Sequence, residues 1–161
     1  MTEHHGRGTH MARPSAIVWF ERLYLASIGI YVANALVFWS ENRALMETVP
    51  QVRAAPALTG LIGPIAIATL AITVLGSLLF WFLVVRRRSA AGKWLVVVTE
   101  VVGVLAAVPA ILALARGTAP NPPGVALSLL ATGLAVAAAA MLVRSDAAAW
   151  FSPGDSSVAG A

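Results

Sequence analysis

The sequence contains no cysteine, so disulfides, thiolate nucleophiles and cysteine-based metal sites are excluded. Charge is also scarce, with Asp, Glu, Lys and Arg making up 11% of 161 residues. A soluble domain of this length needs a charged shell. Hydrophobic residues at 59% and a mean hydropathy of +0.83 instead identify lipid as the solvent. Histidine occurs only at His4, His5 and His10, with few other ligand types nearby. No apolar run holds one, which excludes bis-histidine haem ligation inside a bilayer. The sequence also lacks a nucleophile–base constellation, a glycine-rich phosphate loop and a cluster of acidic metal ligands. The expectation is a protein that is not an enzyme and has neither cofactor nor metal.

Four long apolar runs are present, at about 17–39, 57–85, 93–115 and 124–143. A hydrocarbon core about 30 Å thick needs about 20 helical residues, and each run suffices. Lipid leaves sheet edges unsatisfied, so helices are expected. The fold class is therefore all-α, an integral membrane four-helix bundle over residues 14–151, with disordered tails at 1–13 and 152–161. Glu21, Arg22 and the length of the first run argue against a cleaved signal peptide. The second run is longer than needed. It either tilts, or begins with an interfacial lead-in that leaves Pro64 in the first helical turn.

The basic residues predict orientation. Arg7, Arg13, Arg22, Arg86, Arg87, Arg88, Lys93 and Arg144 share one side of a four-span protein; Arg43, Arg53 and Arg116 share the other. The side richer in cations belongs in the cytoplasm, which places both termini inside. The net charge of +4 thus reflects orientation rather than nucleic-acid binding. Trp19, Trp81, Trp94 and Trp150 fall near the same interface, with Phe38 and Trp39 at the other. Ten of the 11 cations are Arg and alanine is abundant, which suggests a GC-rich bacterial genome and hence the inner membrane.

One acid lies deep. Glu100 sits seven residues beyond Lys93, about 10 Å further along the helix. A lone carboxylate at that depth costs a few kcal/mol, so it is expected to be protonated or paired. Arg22 in the first span is the favoured partner. Arg22, Ala26, Gly29 and Ala33 form one strip, and Gly103, Ala107 and Ala110 form another beside Glu100. Small residues four apart let helices approach closely in lipid, which predicts that the first and third spans meet there. Two alternatives stay open: Arg22 reaching lipid phosphate over a neutral Glu100, and a titrating Glu100 in transport. The sequence shows no continuous polar path across the membrane to support the latter.

Opposite the small strip of the first span lie Tyr24, Ser27, Tyr31 and Asn34. They are expected to make interhelical hydrogen bonds with Thr69, Thr73, Ser77, Ser128 or Thr132. The other reading makes them the wall of a cavity for a lipid or small amphiphile. Arg86, Arg87, Arg88 and Lys93 form a basic turn suited to orientation and anionic lipid. RSDAAAWF, 144–151, continues the last helix as an interfacial anchor.

WFERLYL, RRRSAAGKW and SDAAAWF together resemble a group of uncharacterised small four-span inner-membrane proteins of proteobacteria, over roughly residues 14–151. The resemblance implies the fold and brings no activity. Small multidrug resistance transporters also have four short helices and a membrane glutamate, but theirs lies in the first span. The expected function is a non-enzymatic accessory or structural membrane protein, with membrane lipid, a homo-oligomer or another membrane protein as partner. The alternative is a small transporter or binding protein for a lipophilic ligand, with Glu100 as the titrating group.

Overall fold

A computed structural model describes residues 13–50 and 60–151. Most of both expected tails, and the start of the second run at 57, lie outside the described residues. Among the described residues six helices form: α1 (Ser15–Val37), α2 (Trp39–Glu47), α3 (Ile62–Val85), α4 (Ala90–Ala115), α5 (Pro122–Val143) and α6 (Ser145–Phe151). The four long ones have 22 to 26 residues and are apolar enough to cross a membrane. At 1.5 Å per residue they exceed the hydrocarbon thickness. The described residues include no strand.

Local chemistry sets the boundaries. α1 stops at Phe38, and the polar segment WSENRALME starts anew as α2, a helix absent from the sequence expectation. α3 begins at Ile62 with Pro64 in its first turn, where a missing N–H costs nothing. α4 begins three residues before Lys93 because the Ser89 hydroxyl accepts from Gly92 N–H at 3.1 Å. Asn121 caps α5 in the same way, accepting from Gly124 N–H at 3.1 Å, with Pro122 and Pro123 following. Arg144 is extended (φ −65°, ψ 150°), so 145–151 is a separate helix and not a continuation of α5.

The long helices pack in the ring order α1, α3, α4, α5. The α1–α5 contact is the most extensive and α4–α5 is next. α1 and α4 stand diagonally, so the expected close contact between the first and third spans does not form. The apolar core fills the end of the bundle that carries the termini. Ile17 and Phe20 of α1 meet Val84 of α3, Val96 of α4, Leu142 of α5 and Trp150 of α6 there, all buried. Phe20 and Tyr24 stack at 5.2 Å, and Trp150 Nε1 donates to the Val84 carbonyl at 3.3 Å. The close approach is made by Ala131, Ala135, Ala138 and Ala139 of α5.

A polar hollow closed at one end

α1 turns its polar strip inward. Tyr24, Ser27 and Asn34 are buried and Tyr31 is half-buried, while Ala26, Gly29 and Ala33 are exposed. Lipid explains the choice. Hydroxyl and amide groups have no partner in hydrocarbon, whereas alanine and glycine face it at little cost.

Beyond the apolar core, the polar strip borders a cavity of about 210 Å³ to which every long helix contributes. α1 supplies Tyr24, Ser27 and Tyr31, α3 supplies Thr73 and Ser77, α5 supplies Ser128 and Thr132, and α4 supplies Glu100. Two hydroxyls are internally satisfied: Ser27 donates to the Tyr24 carbonyl at 2.7 Å and Thr132 to the Ser128 carbonyl at 3.0 Å. The Tyr24 hydroxyl pairs with Ser77 and lies near enough to Glu100 to interact with it electrostatically. The volume accommodates a small polar head group or several waters.

A second cavity of about 450 Å³ continues toward α2. Tyr31 and Ser128 line both spaces, and Asn34 Nδ2 donates to Ser128 Oγ at 2.8 Å where they adjoin. Trp39, Asn42 and Met46 of α2 form part of its wall. Two buried amide atoms of its lining residues have no hydrogen-bond partner among the described residues: the acceptor Asn34 Oδ1 and the donor Asn121 Nδ2. Such atoms are costly unless something enters to meet them.

Glu100 also borders a third space, an apolar groove of about 330 Å³ between α4 and α5. Its side chain is half-buried and, among the described residues, has neither an ion pair nor a hydrogen bond.

The Arg22–Glu100 pairing is therefore corrected. Arg22 is exposed on the outer face of α1, with its guanidinium 5.8 Å from the Trp19 ring. The diagonal placement of α1 and α4 keeps the two apart. Glu100, Gly103, Ala107 and Ala110 are all half-buried, with Glu100 on the inner cavity and Ala110 on the outer one, and the strip meets no close helix partner. Gly103 shows this: a Cβ there would meet only a Glu100 oxygen, at 4.0 Å. Of the four α1 residues expected to bond or line a cavity, Tyr24, Ser27 and Tyr31 line the inner space, and Asn34 lines the outer one. Asn34 is also hydrogen-bonded across helices to Ser128, as the favoured expectation had it. Asn42 and Asn121 were not anticipated: Asn42 lies in α2, a helix the sequence did not reveal, and an N-cap asparagine such as Asn121 looks the same whether or not it also borders a hollow.

The basic turn divides. Arg88 lies over the Trp150 ring at 4.0 Å, and Lys93 is 5.6 Å from the Trp94 ring and 5.5 Å from Phe151. Arg86 and Arg87 are exposed. RRRSAAGKW and SDAAAWF thus form one clasp that closes the terminal end.

No protein family, curated protein or solved structure matches this chain.

Proposed function

We propose that this chain is a non-enzymatic protein of the bacterial inner membrane, with both termini in the cytoplasm, that binds a small amphiphile in its polar hollow. One observation carries the reading: Glu100, with no ion-pair or hydrogen-bond partner among the described residues, sits where polar groups from all four long helices converge on a cavity. A helix bundle evolved only for packing gains nothing from a lone acid in its interior, which costs a few kcal/mol. The aligned spaces beneath α2 supply room, and Asn34 Oδ1 and Asn121 Nδ2 supply a free acceptor and donor. The sealed terminal end favours binding, or transport that requires a conformational change, over an open channel.

The decisive experiment is reconstitution with infrared difference spectroscopy of the Glu100 carboxyl band, comparing the native chain with Glu100→Gln. The expected result is a carboxyl band, absent in the variant, that changes when an amphiphile binds or a pH gradient is imposed. A band indifferent to both would return the protein to an accessory role. The exposed Ala26, Gly29 and Ala33 face favours that second reading, since it is a surface on which a partner helix packs closely. Co-purification from native membrane tests it.

A further inference from the structure

Glu100 borders the polar cavity on one side and the α4–α5 groove on the other, and the groove is otherwise apolar. Val101, Val104 and Leu105 line it from α4, and Val136, Ala140 and Val143 from α5. Leu105 and Val143 are among the more exposed large residues, so the groove opens outward to hydrocarbon. From Val97 to Leu105 it follows α4 for about 12 Å.

We infer that the occupant arrives from the lipid, and that it is a lipophilic alkylammonium. Its chain lies in the groove and its charged head passes Glu100 into the polar cavity. This deepens the proposed function and rests on it. An alkyl chain gains little by exchanging lipid tails for a valine-lined groove, so the chain alone is not selected. Selection comes from the head. Among the described residues Glu100 has no cationic partner, so a cationic head supplies the charge that lets the carboxyl ionise and pair there, which neither an anionic nor a neutral head can do. The route beneath α2 is less direct: the Asn34–Ser128 hydrogen bond crosses it, whereas the groove reaches Glu100 without an intervening polar contact.

The test uses the full chain in lipid nanodiscs and decylamine with a diazirine near its tail end. Saturable crosslinks are expected on α4 and α5 around Val101, Val104 and Val136, competed by excess decylamine. They should fall at least tenfold in Glu100→Gln and in Ala140→Trp, an exposed position where a large side chain obstructs the groove. Val101→Trp provides the same obstruction from α4 if Ala140→Trp fails to fold. A decanol probe of equal length should label without saturation. Saturable crosslinks on α2 or Leu70 would overturn the lipid route and leave the hollow as a binding site. Undiminished labelling in Glu100→Gln would overturn the role of the charge. No saturable labelling anywhere would overturn this inference, whereas a Glu100 carboxyl band that still answers a pH gradient would keep the hollow functional.

Discussion

Arg88 adopts φ 51°, a left-handed backbone that costs a residue with a Cβ about 1–2 kcal/mol, and its guanidinium covers the Trp150 ring. The cation–π contact contributes about 0.5–1 kcal/mol at such an exposed position and offsets part of that cost. The two effects separate by mutation. Arg88→Ala should lose the contact and keep the strain, lowering stability in detergent by about 1 kcal/mol. Arg88→Gly loses the contact and relieves the strain, so it should unfold at a higher temperature than Arg88→Ala. Equal melting of the two variants would show that the backbone contributes nothing. Glu100 gives the opposite kind of prediction. Without an ion pair to break, Glu100→Gln should leave thermal stability intact or raise it, because a neutral amide costs less in apolar surroundings. A marked drop in melting temperature would reveal a cationic partner after all. That Glu100 is a singular residue was legible in the sequence. Its partner was not, because depth along a helix can be counted from residue numbers but ring order around a bundle cannot.

Two glycines show how differently helices meet at the two faces of the bundle. At Gly92 a Cβ would lie 2.9 Å from Leu83 Cβ, so only glycine lets α4 start this close to the end of α3. Gly92→Ala should cost about 1–3 kcal/mol by overpacking, read as a lower unfolding temperature. At Gly29 a Cβ meets nothing within 4 Å. Gly29→Ala should therefore be neutral or stabilising, since alanine is the better helix former by about 1 kcal/mol. Destabilisation at Gly29 would mean that a second helix, from another copy or another protein, rests there. The two strips of α1 illustrate what the sequence could and could not decide. Period-3.6 spacing separated Tyr24, Ser27, Tyr31 and Asn34 from Ala26, Gly29 and Ala33 correctly. Which strip faces inward depended on the neighbours. Three of the four alanines that make the close contact, Ala135, Ala138 and Ala139, lie in LAVAAAAML of α5, where small residues occupy every face and no strip stands out. α2 escaped notice because nine polar-rich residues carry no membrane signal.

At the scale of the whole bundle, the two ends of the described residues differ in packing. The terminal end is packed with Ile17, Phe20, Leu142 and Trp150 and clasped by Arg88 and Lys93. The α2 end is hollow, with Asn34, Asn42, Thr69, Asn121 and Ser128 set among apolar lining residues. Four spanning helices were readable from run length alone, since about 20 apolar residues leave few alternatives. The proposed orientation is open to direct measurement because the chain has no cysteine of its own. A single cysteine at Glu41 should react with a membrane-impermeant maleimide in intact spheroplasts. One at Arg87 should react only after lysis. The reverse pattern would invert the topology.

Because the single carboxyl of Glu100 borders both the polar cavity and the apolar groove, the two spaces cannot hold cations independently. A small hydrophilic amine that reaches Glu100 from beneath α2 must displace a lipophilic one held from the groove. Raising either should weaken the other in a strictly competitive manner, with parallel rightward shifts of the binding curve and an unchanged plateau. One buried charge with two exposures therefore behaves as an exclusive-or, reporting that a cation is present without registering from which phase it came.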